Sequence, residues 1–197
     1  MTAVTHLLVA VRSILVSCMI LGAIAQTDRG VQDYLVVKDR YSNYDYGYSV
    51  RVPKSMTGLR SASPFPNHGF LIHLSGNPKA SVSVDASYNA AEWRSLNDAI
   101  TAHLDIFKRN VGGEVSLVAQ VPTTLGGLRA IRFTMKAGTS ATNDPEVREV
   151  LLAFRKAPGE VGIVYEIVLR TPASRYNKDK QLVIDLQKTW RLKLLPK

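Results

Sequence analysis

The strongest constraint on the fold of this chain is the alternation of apolar and polar residues at every second position. Successive residues of a β-strand point to opposite faces, so this period is typical of strands with one buried face. Short turns rich in Gly and Pro join the alternating segments, which favours hairpins and a mainly antiparallel sheet. Strands are therefore predicted at 44–52, 70–74, 81–88, 115–121, 131–135, 150–154 and 161–169.

Two segments instead have a helical period. One apolar stripe runs from Trp93 to Val111, and Gly112 stops it. Asn89 is the predicted N-cap, with Glu92 completing a capping box. The segment 174–190 predicts a second helix. Few helices beside many hairpins define an α+β fold, and the hairpin 150–169, apolar on both faces, is predicted to be central in the sheet.

The stretch "RYSNYDYGYSVRVP" raises a choice between a strand and an aromatic binding surface. Tyr44, Tyr46 and Tyr48 share their parity with the valines that follow, so we expect them to continue the buried face of one strand. A tyrosine at the wet end of a strand can still offer its hydroxyl to a partner. Tyr44 and Tyr46 are therefore also candidate binding residues.

The first 25 residues have the features of an export signal. Arg12 precedes the uncharged apolar stretch "SILVSCMILG", and Ala23-Ile24-Ala25 is a small-x-small cleavage site. Two alternatives remain: a lipoprotein signal acylated at Cys18, and a retained membrane anchor. Cleavage after Ala25 would remove the one cysteine, leaving a mature chain without disulfides. We expect a periplasmic or secreted bacterial protein with a signal peptide at 1–25, a lead-in segment at 26–43 and a single domain at 44–197.

The positive charge is concentrated in the last seventy residues. The net charge is +9, and residues 128–197 carry fourteen Lys and Arg against seven Asp and Glu, whereas residues 26–127 carry ten against nine. Such a field attracts acidic proteins, acidic polysaccharides or anionic lipid surfaces, and it also aids solubility. The candidate binding residues are Arg129, Arg132, Lys136 and Arg170. The alternative is a solvated sheet edge in which basic residues prevent strand pairing.

Catalytic, metal and nucleic-acid sites have little support. His73, Asp85 and a strand serine, Ser81 or Ser83, lie on polar strand faces, so a hydrolase using them is an alternative. No exposed nucleophile turn of the Gly-x-Ser-x-Gly type accompanies them. Histidines with metal-ligand spacing and the aromatic-basic pattern of single-strand binders are also missing. We expect no cofactor, no metal and no nucleic-acid partner.

Three stretches together resemble the PsbP-like family, whose fold is shared with a Ran-binding nuclear import factor. They are "YGYSVRVP" at 46–53, "GGLRAIRFTM" at 126–135 and "YEIVLRTPASRYNKDKQLVIDLQKTW" at 165–190. The resemblance implies an α-β-α sandwich with helices on both faces of the sheet, and usually a non-catalytic binding or scaffold role. It brings no catalytic residues. We therefore expect an exported accessory protein that engages an acidic partner, with a hydrolase or a lipid-anchored accessory subunit as alternatives.

Overall fold

The computed structural model describes residues 34–62, 68–77, 79–138, 144–156 and 162–193. The predicted signal peptide at 1–25 lies outside these residues. Within them, no helix is long and apolar enough to cross a membrane.

Eight of the eleven strands within the described residues form one antiparallel sheet, in the order β1-β4-β5-β6-β10-β9-β8-β7. Each long strand pairs with a neighbour that is close in the chain, as the short turns predicted. The strands β9 and β10 lie in the interior of the sheet, where strands apolar on both faces belong. The bounds are β1 Tyr34–Val37, β4 Gly58–Ser61, β5 Gly69–His73, β6 Ser81–Tyr88, β7 Val115–Leu125, β8 Leu128–Ala137, β9 Glu146–Arg155 and β10 Ile163–Pro172.

A second, three-stranded antiparallel sheet has the order β11-β3-β2. It consists of β2 (Arg40–Asn43), β3 (Tyr48–Arg51) and β11 (Arg191–Leu192). Its central strand buries Tyr48 and Val50 in the core. The small sheet thus joins the start of the described chain to its end.

The two helices pack in two different clusters of buried residues. Helix α2 (Tyr176–Thr189), which follows a 3₁₀ turn at Ala173–Arg175, contributes Leu182, Val183 and Leu186 to one cluster. Helix α1 (Leu96–Val111) contributes Ala99, Ile100 and Phe107 to the other. Alternate residues of β9 divide between them: Leu151 and Ala153 belong to the first cluster, Val150 and Leu152 to the second.

The tyrosine-rich stretch is a hairpin and not the single strand predicted at 44–52. Residues 44–47 form the turn between β2 and β3. The backbone N–H of Tyr46 donates to the side chain of Asn43 (3.1 Å), and Gly47 takes a positive φ of 64°. An Asx-type bond followed by a left-handed glycine is a local turn signal, and it overrides the apparent alternation. Consequently, strands β1 and β2 occupy the described part of the segment predicted as a lead-in, 26–43.

Helix α1 begins later than predicted. Its N-cap is Ser95, and Asp98 completes the capping box, in place of the predicted pair of Asn89 and Glu92. Asn89 instead bonds both backbone groups of Trp93, at 3.1 and 2.8 Å, and so stabilises the turn before the helix. The predicted end is confirmed, since Gly112 caps the helix with a φ of 62°.

The stretch "LRSASPFPNHG", which lies between the strands predicted at 44–52 and 70–74, begins with strand residues. Strand β4 covers Gly58–Ser61 and joins β1 to the rest of the sheet. Strand β7 is also longer than the predicted 115–121, because it continues through Pro122 to Leu125. As β7 is an edge strand, a proline there need not cost a ladder hydrogen bond.

Candidate functional site

The three candidate basic residues on β8 lie in different surroundings. Arg129 and Lys136 are exposed, whereas Arg132 is partly buried and donates to the side chain of Gln187 on α2 (3.2 Å). Positions 129 and 132 differ by three, so their side chains leave opposite faces of the strand. Arg129 therefore does not extend the row of Arg132 and Lys136.

Arg170 already has an intramolecular partner. Its guanidinium lies 2.8 Å from the Glu146 carboxylate, which also binds Arg148 at 2.7 Å. Arg148 in turn stacks over the ring of Phe107 on α1, at 4.1 Å from the ring centre. Arg170 thus lies beside α1 and Arg132 beside α2, and the structure does not bring the four predicted basic residues into one site.

The two tyrosines predicted as binding residues differ in exposure: one is buried and the other is exposed. Tyr46 is buried, its ring packs on His68 and Tyr88, and its hydroxyl lies 3.4 Å from His68 Nδ1. Tyr44 is 72% exposed at the hairpin turn, and Lys193 lies over its ring at 4.9 Å. Only Tyr44 is therefore available to a partner.

The hydrolase alternative requires His73, Asp85 and a serine to touch, and the sheet register separates them. His73 pairs with Ser81, whereas Asp85 pairs with Gly69 on one side and Glu166 on the other. Four residues along a strand correspond to about 13 Å. The register therefore contradicts a His73–Asp85 dyad.

Asp85 is nevertheless an unusual carboxyl group. Burial, together with the neighbouring carboxylate of Glu166, raises the pKa of Asp85 to about 7. Glu166 itself lies 3.0 Å from the His103 ring of helix α1. No group of three or more His, Cys, Asp or Glu residues that could hold a metal occurs in the described part of the chain.

A groove beside the small sheet is lined by charged residues that are far apart in the sequence. We call it the hairpin groove; it has a volume of about 510 Å³ and lies between the β2–β3 hairpin and the C-terminal part of α2. Its lining residues are Asp39, Arg40, Arg51, Val52, Pro53, Lys54, Asp185 and Thr189.

The register of the hairpin places two arginines face to face in this groove. Arg40 on β2 is directly opposite Arg51 on β3, and both are exposed. Side chains of opposed residues stand about 5 Å apart at their Cβ atoms, and like charges there destabilise the pair. Among the residues that the structure describes, no carboxylate comes within ion-pairing distance (4.0 Å) of Arg40, Arg51 or Lys54. The groove therefore holds three basic side chains that form no ion pair within the described residues, although Asp39 and Asp185 also line it.

A strained turn forms one wall of the hairpin groove. The N–H of Arg40 donates to the carbonyl of Lys38 (2.7 Å), which closes a tight turn around Asp39, whose φ is 57°. The N–H of Val52 holds the carbonyl of Asp39 at 2.9 Å. A positive φ at a residue other than glycine costs free energy and is often found at binding sites.

The opposite wall is tied to the hairpin through the last turn of α2. The Thr189 hydroxyl accepts from the backbone N–H of Arg51 at 3.1 Å. Next to it, Trp190 stacks on Tyr48 with ring centres 4.5 Å apart. These contacts fix the helix end against β3 and so set the position of Asp185, which lies one helical turn before Thr189.

One sequence signal for this site was present. If the turn had been placed at 44–47, two flanking strands of equal length would have paired Arg40 with Arg51. No local sequence pattern predicts that Asp185 and Thr189 lie next to the hairpin, because they are about 140 positions further along the chain.

Comparison with known proteins gives the fold but no sequence family. No protein-family model matches the chain, and no curated protein matches it. Among solved structures, cyanobacterial PsbP from Synechocystis aligns with a TM-score of 0.55 and 14% identity, over 87% of this chain and 98% of that one.

Two further solved structures extend the comparison. LpqN, involved in cell envelope biogenesis of Mycobacterium tuberculosis, has a TM-score of 0.54 at 11% identity over 81% and 92% of the two chains. The Ran-binding protein Mog1p of Saccharomyces cerevisiae has a TM-score of 0.51 at 12% identity over 82% and 96%. The chain therefore has a PsbP-like fold.

Proposed function

We propose that this protein is an exported, non-catalytic binding protein that captures an anionic partner in the hairpin groove. The observation that carries the proposal is the directly opposed pair of Arg40 and Arg51, neither of which has a carboxylate within 4.0 Å among the described residues. A carboxylate or phosphate between two guanidinium groups would turn their repulsion into two charge-assisted contacts. Lys54 on the same groove wall would add a third positive charge.

The architecture supports an accessory role. Because alternate residues of β9 pack with different helices, we infer that α1 and α2 cover opposite faces of the large sheet. Such covered faces bury the interior of the sheet, whereas Arg40, Arg51 and Lys54 of the hairpin groove are exposed. Two of the compared structures have roles of this kind: LpqN is involved in cell envelope biogenesis and Mog1p binds Ran. We propose that binding is the role of this chain too.

Export rests on the first 25 residues, whose charge, apolar core and small-x-small site are those of a cleaved signal. We place the mature protein in the periplasm or outside the cell. There it would meet acidic proteins, acidic polysaccharides and anionic lipid head groups, the three partner classes that its positive field favours.

The proposal is tested by removing the opposed arginines. We expect Arg40→Ala/Arg51→Ala in the mature chain to weaken binding to heparin and to poly-L-glutamate at least tenfold, measured by biolayer interferometry. Charge-assisted hydrogen bonds contribute about 1.5–3 kcal/mol each, and about 1.4 kcal/mol corresponds to a tenfold change. Binding of the unaltered protein should also weaken as salt rises.

The matched control is Arg129→Ala/Lys136→Ala, which removes the same charge from exposed positions on β8. We expect this variant to lose less than threefold in affinity. Equal losses in both variants would mean that diffuse charge, and not the hairpin groove, holds polyanions. That result would overturn the proposal.

A further inference from the structure

The hairpin groove carries both signs of charge, and this restricts its ligand. Beside its three basic residues it is lined by two carboxylates, Asp39 and Asp185, and by the hydroxyl of Thr189. A purely anionic ligand that filled the groove would meet repulsion from both carboxylates. A ligand that also supplies hydrogen-bond donors therefore matches the groove better than a purely anionic one.

Both carboxylates have acceptor capacity left. Asp185 accepts from the side chain of Gln181 (2.9 Å) and lies 4.0 Å from Lys188, yet 48% of its side chain is exposed. Asp39 is exposed, and its side chain makes no hydrogen bond to the described residues. Since an ionised carboxylate accepts about four hydrogen bonds, each can bind further donors.

Two hydrogen bonds hold the strained backbone of Asp39 in place. Its backbone is held on one side by the tight turn of Lys38 and Arg40, and on the other by the N–H of Val52 at 2.9 Å. The backbone of Asp39 is therefore fixed at the wall of the groove before any ligand arrives, so that only its side-chain torsions remain to be ordered on binding.

We propose that the anionic partner is an acidic saccharide. This inference rests on the proposed function and specifies its ligand. The acid group of the sugar lies between Arg40 and Arg51, and its hydroxyls donate to Asp39 and Asp185. The partly exposed ring of Pro53 offers an apolar surface for the C–H face of the sugar. An acidic peptide supplies carboxylates to the arginines, but it offers the two aspartates one backbone N–H per residue, whereas a sugar unit offers several hydroxyls beside its acid group.

The test uses a substitution whose electrostatic and hydrogen-bonding effects have opposite signs. Asp39→Asn/Asp185→Asn makes the groove more positive by two charges, so simple attraction predicts tighter binding to every polyanion. The proposal predicts that binding to oligogalacturonate weakens at least fivefold, while binding to poly-L-glutamate becomes tighter. Asparagine tolerates the left-handed backbone of position 39, so the turn is retained.

Calorimetric titration of the mature protein with each probe gives the affinities. The control, Asp105→Asn/Glu114→Gln, removes the same charge from exposed positions outside the groove and should not weaken binding to oligogalacturonate. Tighter binding of the groove variant to both probes would overturn the saccharide assignment and favour an acidic protein partner. The proposed function would survive that result, because it depends on the arginine variant. If the unaltered protein binds neither probe, both proposals fail.

Discussion

The burial of individual tyrosines depends on a single turn. Tyr41 and Tyr48 both reach the core, and their ring centres lie 5.7 Å apart across the hairpin. Tyr44 is exposed because it occupies the turn itself. The sequence predicted correctly that Tyr46 and Tyr48 are buried, but it placed them on one strand. At this turn two buried tyrosines happen to be two positions apart, which is also the spacing of residues on one face of a strand.

At the scale of single residues, Asp85 should make stability depend on pH. Its pKa in the folded protein is raised to about 7 from an ordinary value of 3.8, so the folded state binds the proton more tightly than the unfolded state. The corresponding stability is fully present below about pH 4 and is lost as pH rises to about 7. Above that range the buried Asp85 is charged directly opposite Glu166, whose proximity raises the pKa of Asp85.

We therefore expect Asp85→Asn to gain stability relative to the unaltered protein as pH rises from 4 to 8. The change should exceed about 1 kcal/mol, since one pKa unit corresponds to about 1.4 kcal/mol. Urea unfolding at several pH values measures it, with Asp105→Asn as an exposed control. A difference in unfolding free energy that stays constant with pH would show that folding leaves the pKa of Asp85 unchanged, and would contradict this prediction.

At the scale of elements, helix α1 depends on its capping box. The Ser95 hydroxyl accepts from the N–H of Asp98 at 3.2 Å, and the Asp98 carboxylate accepts from the N–H of Ser95 at 2.9 Å. We expect Ser95→Ala to lower the free energy of unfolding by about 1 kcal/mol. The control Asn97→Ala, two positions along at an exposed site, should change it by less than about 0.5 kcal/mol. Thermal and urea denaturation compare the two, and equal effects would argue against the cap.

The turn between β7 and β8 is a second element whose two glycines differ. Gly126 and Gly127 both have positive φ, 58° and 90°, as a two-residue hairpin turn requires. A Cβ at Gly126 would lie 2.8 Å from Trp190 Cδ1 and 3.0 Å from Leu192 Cγ. A Cβ at Gly127 would have no neighbouring atom within 4 Å. The first glycine therefore serves packing as well as conformation.

We expect Gly127→Ala to cost about 1–2 kcal/mol through backbone strain alone. Gly126→Ala should cost a further 1–3 kcal/mol or so, because its methyl group displaces Trp190 or the end strand β11. Urea unfolding followed by tryptophan fluorescence reports both, and the emission of the Gly126 variant should also shift. A similar loss of unfolding free energy in the two variants would mean that Trp190 moves aside without a measurable loss of stability.

At the scale of the whole molecule, the long periodic segments predicted the antiparallel sheet and both helices. These elements are local, since each long strand lies near its partner in the chain and each helix carries its own apolar stripe. The strands β1, β2 and β4 were missed because four residues are too few for a reliable period. The hairpin groove was missed because it joins Arg51 to Thr189, and no local pattern encodes that approach.

The processing of the N-terminus determines whether the protein is released after export or anchored to a membrane. The apolar run continues past Cys18 to Ala25, whereas a lipobox normally ends the run at its cysteine, so we predict cleavage after Ala25. The intact mass of the exported protein should correspond to residues 26–197, with or without cyclisation of Gln26. A mass that includes an acylated Cys18 would contradict this prediction. An acyl anchor would hold the positively charged chain close to anionic head groups, and lipid would then compete with any saccharide for Arg40 and Arg51.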